Sequence, residues 1–203
     1  FKGRSFSQSF NAQFISLIPK VENACEMRQF RLIALVNTIH KIIVMILENR
    51  LVIISNKIIS WNKFCFVHGR NIQDCLITGS ECVNILRKPT RCGDIALKLV
   101  IKKSIDMMDW GLICNALTVF VFKNLFINWI KDLLGLARIS ILINVSLEGY
   151  FMCSRGVRKG DPLSDIIFSI NKDYLSRLIL HMVTNSDLKT IQEARGISTP
   201  SHL

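Results

Sequence analysis

The stretch Ser154-Arg155-Gly156-Val157-Arg158-Lys159-Gly160-Asp161-Pro162-Leu163-Ser164 has the residue types and spacing best suited to chemistry on a ligand. Two glycines bracket a triplet that carries two cations. An Asp-Pro pair then opens an apolar series, Ile166, Ile167, Ile170, Tyr174, Leu175 and Leu178, spaced like one face of a helix. Glycines let the backbone approach a bound group closely, and Arg155, Arg158 and Lys159 beside a helix start suit a phosphate. The ligand so implied is a nucleotide or a nucleic-acid strand. The plainer alternative is a loop and helix cap whose cations face water.

The composition agrees with an anionic partner. Among 203 residues, Lys and Arg number 26 against 15 Asp and Glu, a formal charge of +11, and the sequence pI is near 9.6. Charge alone does not separate nucleic acid from an anionic membrane surface. Half of the residues are apolar, enough for one substantial core or two small ones, which excludes a disordered chain. Seven scattered cysteines without a Cys-x-x-Cys pair read as thiols in a reducing compartment rather than a disulfide framework. Cys65 and His68 stand at a metal-like spacing, but no second pair answers them, so no metal site is expected. No N-terminal signal is evident, and the two most apolar regions, 39–59 and 117–136, are too often interrupted by charge to span a bilayer.

The elements that must position the glycine turn can be read in order. Gln13 to Pro19 alternates like a strand ended by proline. Asn37 can cap a helix with Ile39, Ile42, Ile43, Ile46, Leu47 and Leu51 on its apolar face. Trp61 to Arg70 is a loop, followed by a helix facing inward with Ile72, Cys75, Leu76, Val83 and Leu86. Pro89 to Gly93 marks a boundary, and Asp94 to Ile101 alternates towards a buried strand. A helix is expected from Ser104, with Ile105, Met108, Leu112, Ile113 and Leu117 inward, and another over Asn124 to Leu136. Arg138 to Asn144 is a strand. Val145 after Asn144 occupies the place of a hairpin glycine, so the turn must differ or the hairpin is weakened.

Several of these segments, in this order, resemble the reverse transcriptases of non-LTR (long interspersed element) retrotransposons, especially those abundant in plant genomes. Arg-Gly-Val-Arg-x-Gly-Asp-Pro-Leu-Ser at 155–164 is similar to that family's template-gripping motif. Ile15-Ser16-Leu17-Ile18-Pro19-Lys20 resembles the opening of the fingers, and Phe30-Arg31-Leu32-Ile33 the family's Phe-Arg-Pro-Ile. Trp61 to Arg70 resembles its Gln-x-Gly-Phe loop, with Lys63 and Cys65 in place of the glutamine and glycine. The resemblance covers roughly residues 10 to 203.

It implies an α+β fold, the fingers and partial palm of a right-hand polymerase, mostly helical with short strands. Residues 1–93 would be fingers-like and 94–203 palm-like. Template and nucleotide binding would fall to Arg31, Lys41, Arg155, Gly156, Arg158, Lys159, Gly160, Asp161 and Pro162. Lys41 reads equally well as a solvated cation on the polar face of its helix. The partners implied are an RNA template and an RNA–DNA hybrid, without a membrane, in the cytoplasm or nucleus.

The same alignment puts the metal-binding aspartate of the family on Val100 and the aromatic beside the sugar on Ile105, while Asp106, Asp109 and Trp110 match. Nucleotidyl transfer by a palm-type polymerase uses two divalent ions held by carboxylates from two strands. Valine offers no oxygen ligand for magnesium. The second carboxylate cluster, an aromatic-Ala-Asp-Asp sequence, would lie past Leu203. Rescue by Asp106 or Asp109 is not expected from a following helix. Magnesium serves the intact family, but no cofactor is expected in this chain. Leu32, Cys65, Ile105, Val145, Lys159 and Asp165 are further departures from the family pattern, as in a degenerate copy. The expectation is an inactive reverse-transcriptase-like chain; the alternative is a non-catalytic RNA- or DNA-binding module. A helical membrane-surface protein is a third reading, disfavoured because the apolar stripes look like core.

Overall fold

The computed structural model describes residues 11–64, 66–87, 101, 104–158 and 160–188. They form an α+β architecture, mostly helical with one small sheet. The chain divides by contact into two compact units that interleave in sequence. The first takes its described residues from 11–50 and 104–165, and the second from 51–101 and 166–188.

The first unit holds the sheet. Strands β1 (Ala12–Pro19), β2 (Phe30–Val36), β3 (Arg138–Ile143) and β4 (Ser146–Met152) lie in the order β2-β1-β3-β4. β1 pairs antiparallel with β2, from Gln13 opposite Val36 to Pro19 opposite Phe30. It pairs parallel with β3, Ala12 opposite Arg138. Between β1 and β2 a short 3-10 turn is fastened by Gln29, whose Oε1 accepts from both the Cys25 and Glu26 amides at 2.8 Å. The alternation that marked β1 is absent from β2, which is apolar apart from Arg31 and in which sequence alone suggested no element.

The β3–β4 hairpin keeps the tight geometry that Val145 argued against. Asn144 has φ +48° and Val145 φ +71°, the pair of left-handed residues that a two-residue hairpin turn requires. The strain is therefore carried by the valine, whose branched side chain is 95% exposed and packs on nothing that offsets it. Replacing Val145 with glycine should relieve about 1–2 kcal/mol of strain against a smaller entropic loss, raising the thermal midpoint by about 2–4 °C. A midpoint that falls in a thermal melt would show that the turn holds no such strain.

Five helices complete the described fold: α1 (Thr38–Ile58), α2 (Ile72–Leu86), α3 (Trp110–Val119), α4 (Asn124–Gly135) and α5 (Pro162–Thr184). Asn37 does cap α1, its side-chain oxygen accepting from the Ile39 amide at 3.0 Å. The buried face of α1 keeps Leu47 and Leu51 of the expected stripe but is rotated away from the rest of it. His40, Val44, Leu47, Leu51 and Ser55 are buried, whereas Ile39, Ile42 and Ile46 are exposed. Apolar residues surround this helix, so spacing could not choose a side; the side taken is the one that inserts His40.

α2 begins after Asn71, whose side chain accepts from the Gln73 amide, but it buries none of its residues among those described, and Ile72, Leu76 and Val83 are exposed. α3 starts six residues later than expected, because Asp109 caps it by accepting from the Leu112 amide at 2.9 Å. Ile105 and Met108 thus lie in the preceding turn. α3 and α4 supply the apolar heart of the first unit through Ile113, Ala116, Leu117, Ile127, Ile130 and Leu133, all buried. The second unit buries Leu51, Ile59, Val67, Ile166, Ile167, Phe168 and Ile170. The expected boundary at 89–93 and nearly all of the strand at 94–101 lie outside the described residues. No helix among the described residues is long and apolar enough to cross a membrane.

Candidate nucleic-acid interface

The glycine turn runs from the end of β4 to the start of α5 in the first unit. Asp161 and Pro162 start α5 as their types dictate: the Asp161 side chain accepts from the Leu163 amide at 3.3 Å and its carbonyl from the Ser164 amide at 2.9 Å. Pro162, which has no amide hydrogen to lose, takes the first helical position. Both glycines have left-handed backbones, φ +80° at Gly156 and +81° at Gly160, but their surroundings differ.

A Cβ at Gly160 would meet no atom within 4 Å, so this backbone lies open. At Gly156 the close neighbour is the chain itself. A Cβ there would lie 2.9 Å from the Asp106 carbonyl carbon and closer still to its oxygen. Around that contact the Gly156 amide donates to the Met108 carbonyl at 2.7 Å, the Val157 amide to the Ile105 carbonyl at 3.0 Å, and Trp110 Nε1 to the Gly156 carbonyl at 2.8 Å. Ile105, Asp106 and Trp110 thereby fasten the segment before α3 to the glycine turn.

Arg158 faces inward. Its Nη1 lies 2.6 Å from His40 Nε2, and its Nη2 donates to the carbonyl and side-chain oxygens of Asn11. Asn11 in turn donates to the Leu133 carbonyl at the end of α4, and the Asp161 carboxylate sits 3.6 Å from His40 Nε2. Burial pushes the Arg158 guanidinium below its ordinary pKa, against the opposing pull of Asp161 and Cys153. Asp165 is pushed up by burial and by the like charge of Asp161. The same burial raises the Cys153 thiol, with Arg158 and Arg138 acting the other way.

The remaining residues assigned to a ligand separate clearly. Arg155, Gly160, Arg31 on β2 and Lys41 in the first turn of α1 are exposed, so their charges or backbone are open to solvent. Val100, Lys159 and Cys65 lie outside the described residues. Asn11 and His40 were not singled out from sequence. Their partners stand more than 100 residues away, and the one local clue was the position of His40 four residues before Val44 on the buried stripe.

The second unit has a separate charged cluster around the end of α1. Asp173 is completely buried; its carboxylate accepts from the Ser60 amide at 3.2 Å and from Arg177 Nε at 3.0 Å. Arg177 also donates to the Ile58 carbonyl at 2.6 Å, and Arg70 donates to the carbonyls of Ile59, Ser60 and Lys63. Two guanidinium groups thus satisfy the carbonyls left over where α1 ends, at its negative dipole end. Lys63 is pushed below its ordinary pKa by burial, with Asp173 opposing.

No group of three His, Cys, Asp or Glu among the described residues could hold a metal ion, and the Asp109 carboxylate is occupied in capping α3.

Comparison with known proteins gives the lineage. Over 189 residues, 93% of its length, the chain is 26% identical to the Transposon TX1 uncharacterized 149 kDa protein of Xenopus laevis, of which it spans 14%. Residues 18–192 match the model of the reverse transcriptase (RNA-dependent DNA polymerase) family, a span that includes strand β2, helix α1 and the glycine turn. The chain therefore belongs to the reverse transcriptase family.

Proposed function

We propose that this chain is the reverse-transcriptase segment of a non-LTR transposon that retains a nucleic-acid grip but does not polymerise. The transposon relative supports the element type, and the spelling of the 155–164 motif supports a plant-type lineage. The single observation that carries inactivity is Val100, which stands where the family motif places a metal-binding aspartate. With no oxygen there, the two-ion arrangement loses an arm, and magnesium is not a resident cofactor of this chain.

The fingers-like region is 1–93 and the palm-like region 94–203, with an RNA template or RNA–DNA hybrid as partner, in the cytoplasm or nucleus. The exposed Arg155 and the open backbone at Gly160 support a second role as a non-catalytic binding module. Both are tested together. Primer extension on an RNA template, with magnesium and then manganese, should give no incorporation while an intact family member extends. Binding to the same RNA should weaken steeply with salt. Incorporation above background would overturn the inactive reading, and salt-independent or absent binding would remove the module.

A further inference from the structure

We propose that Arg158 is a positioning residue, a half-buried strut that sets the shape of the glycine turn, and that the phosphate grip falls to Arg155 and the open backbone at Gly160. The proposal rests on the nucleic-acid reading above and deepens it by dividing the motif's cations into two kinds.

The guanidinium fork is already spent. One Nη meets His40 Nε2 at 2.6 Å and the other meets two oxygens of Asn11. His40, 2% exposed, receives that bond through Nε2, because a guanidinium can only donate. The Asp161 carboxylate, 3.6 Å from His40 Nε2, opposes the charge of Arg158 and at the same time caps α5. Through Asn11 the network reaches the last turn of α4.

One planar group thus ties four segments of the first unit: the approach to β1, the first turn of α1, the end of α4 and the start of α5. Turning Arg158 outward to a phosphate would break its bonds to His40 Nε2 and to Asn11 and move its charge away from Asp161. Arg155 has no such bonds among the described residues and stands exposed. Lysine could not replace Arg158 in this role, because a single ammonium lacks the fork that meets His40 and Asn11 together.

The experiment compares Arg158→Lys, Arg158→Gln, His40→Gln, His40→Leu and Arg155→Gln in the full chain. Each variant is titrated with a fluorescent single-stranded RNA oligonucleotide over a range of salt, and hydrogen exchange is followed across the turn amides. Arg158→Lys should bind at least tenfold more weakly than the wild type, as Arg158→Gln does, with the salt slope of the wild type and at least tenfold faster exchange in the turn. His40→Gln, which keeps an acceptor, should stay within about threefold of the wild type, whereas His40→Leu should match Arg158→Gln. Arg155→Gln should lower the salt slope by about 0.7 and leave exchange unchanged.

The proposal is overturned if Arg158→Lys binds like the wild type, or if Arg158→Gln lowers the salt slope with turn exchange unchanged. Global unfolding of both Arg158 variants would support the strut, since losing a solvent-facing phosphate contact does not unfold a chain. Should the wild type fail to bind RNA, the binding reading falls, and the exchange measurements still decide the role of Arg158.

Discussion

Gly156→Ala is expected to cost about 3–5 kcal/mol, a large share of the stability of an ordinary domain. Two effects combine. Alanine at φ +80° meets the steric penalty of the left-handed region, about 1–2 kcal/mol. Its methyl group would also press on the Asp106 backbone, which is not the movable end of a side chain. Relief requires the two segments to part, which stretches the Gly156–Met108, Val157–Ile105 and Trp110–Gly156 hydrogen bonds. Each partly buried group left without a partner costs roughly 1–3 kcal/mol. Gly160→Ala is the internal control: its φ is equally positive, but open space surrounds it, so about 1 kcal/mol is expected. Urea unfolding followed by circular dichroism measures both. Equal losses for the two variants would mean that the segment before α3 does not bear on the glycine turn.

Asp173→Ala should be nearly as damaging, at about 2–4 kcal/mol. The carboxylate is fully buried, and its removal takes the acceptor from the Ser60 amide and the charged partner from Arg177 Nε, which keeps its bond to the Ile58 carbonyl. Because the Arg177 side chain is 48% exposed, water recovers part of that loss, which sets the figure below that for a fully buried pair. Asp173→Asn keeps the shape and one acceptor and should cost about half as much. Arg177→Gln should cost less than about 1 kcal/mol. If Asp173→Ala and Arg177→Gln cost the same in chemical denaturation, the ion pair rather than the buried acceptor would be the main contribution.

The contrast between these sites shows what a sequence discloses. Features settled by neighbours in the chain were legible: the caps at Asn37 and at Asp161-Pro162, the alternation of β1, and the extents of α4 and α5. Features settled by remote partners were not. β2 is apolar apart from Arg31, and its pairing with β1 makes it a strand. α1 has apolar residues on every side, and the face it buries follows from the place of His40 against Arg158, 118 positions away. Asp109 was noted for its match to a family motif, yet its work is to cap α3. The motif itself was legible as a unit, but its members were not. Gly156 serves an internal contact, Arg158 an internal network, and Arg155 and Gly160 remain outside.

The parallel pairing of β1 with β3 bears on how the chain is made. During synthesis β1 and β2 can form their hairpin as soon as both have emerged, but the strand that covers the other edge of β1 is translated about 120 residues later. At typical elongation rates of 5–20 residues per second that edge stays open for roughly 6–25 s. Such a delay is long beside the microseconds in which a hairpin forms. Through this interval β1 presents unpaired amides and carbonyls beside Phe14 and Ile18, both of which remain partly exposed even in the finished sheet. The nascent chain therefore passes through a window in which a chaperone, or another nascent copy, can occupy the place that β3 will take.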